Sequence, residues 1–215
     1  MIKLIIKGGL GNQMFQYAAC YSLAQSTGSK VLVDLSFMKN RLPVPGFVYR
    51  EYQIAEFFDL DIPTTTLLKN GFLDKYISYP IEMYLNKFGL NKAYIEQKDF
   101  KFDSKFFELE DGVTIEGYFN NYKYFDDYSD EIRKLFDLDK LYDEKFDQIE
   151  KEIKNSSSVS INIRRGDYLN KKNKDLFTYL DKDYYRKAIK IIKSKVENPH
   201  FYVFSIDDPN WFKEV

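Results

Sequence analysis

One cysteine, one histidine and one tryptophan stand among 215 residues, and each scarcity removes a class of chemistry. The lone Cys20 excludes an internal disulfide framework and suits a reducing compartment. Its neighbours Ala18, Ala19 and Tyr21 offer no base, and no histidine lies near it in sequence, so it makes a poor nucleophile. With His200 as the sole histidine, a multi-histidine zinc site is impossible and a Ser-His-Asp relay has one residue to draw on. No apolar run approaches the ~20 residues that a membrane helix needs. The opening stretch Met1–Lys7 is interrupted by Lys3 and Lys7 and is too short for a secretory signal. Charge of either sign is not in excess: 32 lysines and arginines meet 33 acids. That balance excludes a general nucleic-acid or anionic-membrane binder and makes any phosphate recognition local. The composition points to a cytoplasmic protein with at most a peripheral association with membranes.

What is present is patterned. Met1 to Lys7 reads as a strand that ends in the glycines Gly8, Gly9 and Gly11. Met14, Phe15, Ala18, Ala19, Tyr21 and Leu23 then recur at helical spacing, with Gly28 where a C-terminal cap belongs. Lys30–Leu35 is a second strand, and strand, turn, helix, strand make a βαβ unit with a parallel sheet and a right-handed crossover. Pro43, Pro45 and Gly46 mark a loop. Residues Pro63 to Asn91 carry a loosely helical pattern broken by Gly71 and Pro80. Val113–Phe119 reads as a strand, followed by helices over Tyr122 to Phe136 and Phe146 to Ile153. The polar break Asn155–Ser158 suggests a boundary between a first domain, 1–154, and a second, 159–215. The second has a strand Val159–Ile163, a helix Asp183–Val196 and a strand Phe201–Ser205.

Three places carry chemistry. The glycine turn after the first strand admits a dinucleotide reading, because Gly9 and Gly11 precede a helix and Asp34 lies where a ribose-binding acid would sit. The third glycine of that pattern falls on Met14, and no Gly-Lys-Ser/Thr follows to make a P-loop. A tight turn with no ligand remains open. So does an anion or sugar-nucleotide site, in which the glycines let a ligand approach the backbone and Asn12 and Gln13 aim amides from a helix N-terminus. At the end of the strand Val159–Ile163 come Arg164 and Arg165, then Gly166 and Asp167. Two guanidinium forks there match a diphosphate, with Asp167 bracing one of them; an internal Arg165–Asp167 ion pair is the plainer alternative. Asp207 and Asp208, at the end of the last strand, could accept from a ribose or base, hold a metal, or cap the helix implied by Pro209 and Trp211. Aromatic residues make up 18% of the chain, and those of Tyr118–Phe125 could stack on sugar faces, although most aromatics serve the core.

Five stretches together resemble glycosyltransferase family 11, the α-1,2-fucosyltransferases, and occur in that family's order. They are Gly8–Ala18 (GGLGNQMFQYA), Glu116–Phe125 (EGYFNNYKYF), Ser160–Tyr168 (SINIRRGDY), Asp183–Ile189 (DYYRKAI) and Phe201–Trp211 (FYVFSIDDPNW). The resemblance implies an α/β, GT-B-like fold of two Rossmann-like parallel-sheet halves, with the donor GDP-fucose bound mainly by the second. It implies transfer of fucose to the 2-hydroxyl of a β-galactoside, a galactose-terminated glycan acceptor, with inversion and without a metal or other cofactor. Arg164 and Arg165 would stabilise the GDP leaving group and Asn12 would lie near the reacting sugar. Gly9, Gly11, Gln13, Asn162, Asp167, Asp207 and Asp208 would line the substrates. No acid stands out as the general base. Two departures from the family shape the expectation. Asn162 replaces a histidine two residues before the first arginine, which implies weaker donor binding or lower activity. The family also runs on into a Ser-Phe-Ser-Trp-Trp block, so the second half is expected to be truncated here. The alternative to that reading is an inactive glycan- or nucleotide-binding remnant of the family, and a homo-oligomer that covers exposed apolar surface is a further expectation.

Overall fold

The computed structural model describes residues 1–44, 49–68, 72–96, 101–141, 143–163, 180–205 and 210–213. They fall into two compact units, Met1–Leu141 and Tyr142–Val215. In the first unit the elements run β1 (Ile2–Ile5), α1 (Leu10–Thr27), β2 (Val31–Asp34), α2 (Ser36–Lys39), α3 (Ile54–Phe57), β3 (Thr64–Thr65), α4 (Asp74–Lys87), β4 (Ala93–Ile95), β5 (Thr114–Glu116) and α5 (Ser129–Leu135). The strands form one five-stranded sheet in the order β3-β2-β1-β5-β4, with every neighbouring pair parallel. The expected βαβ unit is therefore β1-α1-β2.

Strand β1 is central, and Ile2, Leu4 and Ile5 are all fully buried. This is why its sequence is apolar apart from Lys3 rather than strictly alternating: a parallel strand has both faces covered. Helix α1 turns Ala18, Ala19, Cys20, Leu23 and Ala24 into the core. It ends as its sequence promises. Gly28 adopts a left-handed conformation (φ 66°), and the N–H of Ser29 donates to the carbonyl of Ala24 at 2.8 Å. From β1 the chain steps outward through β2 and β3 on one side, then fills the other side with β4 and β5. The order reverses at β1, so the crevice between β1 and β5, at their carboxyl ends, is the switch point where open α/β sheets place ligands.

The expected strand Val113–Phe119 stops at Glu116. A Cβ at Gly117 would lie 2.5 Å from that of Glu96 and 2.7 Å from the Phe119 ring, and Phe119 itself has φ 51°. The backbone leaves the sheet here because the Glu96 carboxylate takes the N–H groups of Tyr118 and Phe119. The helix expected from Tyr122 begins instead as two 3-10 turns, Tyr122–Tyr124 and Asp126–Tyr128, before α5. Between Pro63 and Asn91, Pro80 breaks the pattern in sequence but sits inside α4, which passes through it.

The second unit contains α6 (Asp147–Lys154), β6 (Ser157–Ile163), α7 (Lys182–Lys193), β7 (Pro199–Ser205) and α8 (Asn210–Lys213). Strands β6 and β7 pair in parallel along their whole length, from Ser157 opposite Pro199 to Ile163 opposite Ser205. The polar break at Asn155–Ser158 is shorter than its composition suggests, since Ser157 and Ser158 already belong to β6. The division between the units falls before it, with α6 on the side of the second. Asp181 caps α7, accepting from the N–H of Tyr184 at 2.9 Å. Tyr185, nearly buried on α7, meets Trp211 and Phe212 of α8 edge to face.

Candidate functional site

The glycine turn joins β1 to α1 at the carboxyl end of the central strand. Gly8 has φ 82°, and a Cβ there would stand 2.6 Å from Asn12 Nδ2, so the Asn12 side chain folds back over a position that only glycine fills. At Gly9 and Gly11 nothing lies within 4 Å of where a Cβ would be. Gly9 is the N-cap of α1 in extended conformation, with no side chain capping the helix and no acid in its first turn. Gly9 and Gly11 thus leave open space beside the first turn, at the positive end of an 18-residue helix.

Gln13 does something other than face that space. It is fully buried, and its Nε2 donates to the carbonyls of Gly8 (3.0 Å) and Glu51 (2.7 Å). Its Oε1 accepts from the N–H groups of Gln53 (3.0 Å) and Ile54 (3.2 Å). All four hydrogen-bonding positions of the amide are used, so Gln13 staples the start of α3 to the turn and has nothing left for a ligand. Gln16, one helical turn on and equally buried, binds the Lys7 backbone in both directions, at 2.9 and 2.6 Å. The two glutamines fix the entry and exit of the turn. Asn12, half-buried, makes no side-chain hydrogen bond among the described residues.

Beside the turn stand three residues, Lys7, Tyr79 and Glu116, that the sequence gives no reason to single out. Lys7, the residue before the turn, places Nζ 3.2 Å from Glu116 Oε1 and 4.9 Å from the centre of the Tyr118 ring. Tyr79 of α4 donates its hydroxyl to the same Glu116 oxygen at 3.1 Å. Burial, and then the Glu116 carboxylate beside it, push the Tyr79 phenol well above its ordinary value. The available sign was positional: Lys7 and Glu116 each follow or end a strand of the parallel sheet and precede a glycine.

Asp34, the acid of the dinucleotide reading, is buried. Its Oδ1 accepts from the N–H of Ser36 at 2.7 Å and its Oδ2 lies 3.8 Å from Lys3. A ribose has no access to that carboxylate, and the dinucleotide reading loses its second element. Cys20 is fully buried and its thiol is pushed far up by burial, which leaves it unreactive. Among the described residues no group of three His, Cys, Asp or Glu could hold a metal ion, and no helix is long and apolar enough to cross a membrane.

In the second unit Asn162 lies on β6, exposed, opposite Phe204 of β7. It borders a cavity of about 270 Å³ shared with Val159, Leu180, Tyr184 and Ile189. Arg164, Arg165, Asp167, Asp207 and Asp208 fall outside the described residues. The structure therefore gathers Gly9, Gly11, Asn12 and Gln13 at one turn and leaves Asn162 in a different unit.

Comparison with known proteins agrees with this architecture. The family model described as Glycosyl transferase family 11 matches residues 1–215. An alpha-1,2-colitosyltransferase of Escherichia coli is 28% identical over 211 residues, covering 97% of this chain and 69% of that protein. The O-antigen biosynthesis glycosyltransferase WbnK of Escherichia coli is 31% identical over 222 residues, covering 96% of this chain and 72% of that protein. No solved structure matches the chain at the same level of significance. A parallel α/β sheet with a glycine turn open at its switch point, matched by the family model along the whole chain, makes this protein a member of glycosyl transferase family 11.

Proposed function

We propose that this glycosyltransferase moves L-fucose from GDP-fucose to the 2-hydroxyl of a β-galactoside, with inversion, in the building of a surface polysaccharide of the O-antigen kind. The observation that carries the reading is the turn at Gly9 and Gly11, open over the N-terminus of α1 at the switch point of the sheet. In this account the chain folds in the GT-B manner. The first unit presents the acceptor side, with Asn12 beside the reacting sugar, and the second holds the nucleotide. Arg164 and Arg165 bind the diphosphate, Asp167 braces them, and Asn162, Asp207 and Asp208 contact the rest of the donor. Negative charge grows on the departing GDP as the sugar becomes oxocarbenium-like. A fixed guanidinium aimed at that charge is worth about 10²–10³ in rate, as an oxyanion-hole donor is. The reaction so drawn calls on no metal.

A second reading, transfer of colitose, is favoured by the relative whose name carries that activity. The test is incubation of the chain with a β-galactoside and either GDP-fucose or GDP-linked colitose, followed by determination of the linkage in the product. Fucose on the galactose 2-hydroxyl is the expected result. Product from colitose alone would establish the second reading. Failure with both donors, GDP binding being retained, would establish a non-catalytic nucleotide-binding protein.

A further inference from the structure

Strands β1 and β5 are joined backbone to backbone, with Lys3 opposite Thr114 and Leu4 opposite Ile115. The ion pair just beyond that pairing, Lys7 with Glu116, is therefore not what holds the strands together. Drawing its two side chains in to 15% and 12% exposure costs solvation. Its geometry is one-sided. Lys7 Nζ and the Tyr79 hydroxyl both donate to Glu116 Oε1, at 3.2 and 3.1 Å, while Oε2 accepts no hydrogen bond among the described residues. Other inward-turned acids of the unit spend both oxygens. Glu82 accepts from Lys3 on one and from Asn91 on the other, and Asp103 from the N–H of Lys105 and the hydroxyl of Tyr94. Glu96 divides its oxygens between the N–H groups of Tyr118 and Phe119. Among the described residues the sealed side-chain atoms that lack a partner are Ser22 Oγ, the Tyr52 hydroxyl and Asn86 Nδ2, and Glu116 Oε2 is not one of them. It reaches the surface with its lone pairs unused.

The place and the neighbours of that oxygen define its ligand. Glu116 is the last residue of β5, at the carboxyl end of the sheet and at its switch point. Lys7 Nζ touches both the carboxylate and the Tyr118 ring, whose centre is 4.9 Å away, so carboxylate and ring lie side by side. Burial, and then the charge of Glu116, keep the Tyr79 phenol protonated, so it stays a donor and Oε1 stays occupied. A carboxylate paired with a lysine only accepts hydrogen bonds, so a ligand at Oε2 must bring an O–H or N–H. A diphosphate is excluded by its sign, and with Lys7 already answering the charge a neutral donor fits better than a cation. The aromatic ring beside it offers an apolar face to C–H groups. Hydroxyls on a neutral ring with an apolar face describe a sugar. We propose that Glu116 and Tyr118 form a subsite for the acceptor sugar, in which Oε2 accepts from a hydroxyl of the galactoside and the Tyr118 ring packs against one face of the pyranose. Lys7 and Tyr79 are positioning residues that lock the carboxylate from behind. This inference rests on the proposed glycosyl transfer, in which the first unit takes the acceptor, and adds the side chains that hold it.

The test is saturation-transfer NMR of lactose, a galactose-terminated probe, titrated into the whole chain with and without GDP. The wild type should bind it. Glu116→Gln, which replaces the charged acceptor by a neutral amide, should bind about ten-fold more weakly. Tyr118→Leu, which removes the ring, should bind several-fold more weakly. An ion pair with a purely structural role would move the melting temperature and leave the affinity for lactose alone, so both are measured on each variant. If Glu116→Gln fails to fold, Tyr118→Leu decides alone. Absence of lactose binding by the wild type under both conditions would overturn the proposal, as would a folded variant of either kind that binds undiminished. Lactose bound through Glu116 by a chain that transfers no fucose to it would leave the subsite standing and remove the fucosyl reading instead.

Discussion

Gln13 and Gln16 lie one helical turn apart on the inward side of α1, both fully buried, and both are spent on backbone. A buried amide that satisfies four backbone groups holds a loop more firmly than any apolar residue of its size, because its removal would strand every partner. The glycines beside them fall into two kinds, and substitution separates them. Gly8→Ala must force a left-handed backbone on an L-residue and displace Asn12, which should cost about 1–3 kcal/mol in urea unfolding. Gly11→Ala meets open space within a helix and should leave stability unchanged or raise it by about 0.5–1 kcal/mol. The same Gly11→Ala chain should nevertheless transfer sugar poorly, because the added methyl stands where a substrate approaches. Wild-type transfer by that variant would remove the turn from the site.

At the scale of elements, the segment after β5 shows how a distant residue decides where a strand ends. Glu96 lies 22 residues before Tyr118 and takes its N–H together with that of Phe119, which holds Phe119 at φ 51° and carries Tyr118 over Lys7. Glu96→Gln keeps the shape but gives up the charge of the acceptor, and should cost about 1–2 kcal/mol of stability in denaturant unfolding. Unfolding at the wild-type midpoint would show that the turn holds itself. This clamp also explains an element the sequence renders badly. Val113–Phe119 alternates like one strand, and nothing local announces that its second half is pulled away. By contrast β1, α1 and β2 are legible, since glycines mark both ends of the helix and each strand is apolar but for one charged residue, Lys3 in β1 and Asp34 in β2. Helix α4 is legible only in outline: its period is visible, but which face is buried depends on Lys3 and Lys39 from elsewhere in the fold.

Across the whole molecule, buried phenols make stability sensitive to alkali. Burial pushes Tyr52 up to about 12, and its hydroxyl has no hydrogen-bond partner among the described residues. Burial raises Tyr79 and Tyr94 further, reinforced by hydrogen bonds to Glu116 and Asp103 respectively. A phenol whose folded value exceeds its unfolded value keeps its proton longer in the folded state. Its contribution is therefore complete below about pH 10 and is lost as pH rises through the raised values. Unfolding free energy should fall steadily above pH 10, and Tyr79→Phe should shallow that fall; a slope unchanged by the substitution would remove Tyr79 from the effect. Legibility follows the same division at this scale. The glycine turn could be read because its residues are consecutive, whereas Lys7 and Glu116 stand 109 positions apart and meet only once the strands are ordered. The role of Gln13 is hidden in the sequence for the same reason, since its partners Glu51, Gln53 and Ile54 arrive from the start of α3 and the residues before it, far along the chain.

Sugar transfer of the proposed kind requires that the chain bind a guanosine diphosphate through the arginines that follow β6. The most direct measurement is calorimetric titration of GDP into the protein and into its Arg164→Ala variant. Saturable binding by the wild type that the variant loses is the predicted result. Absence of heat from the wild type, or equal binding by both proteins, would contradict it.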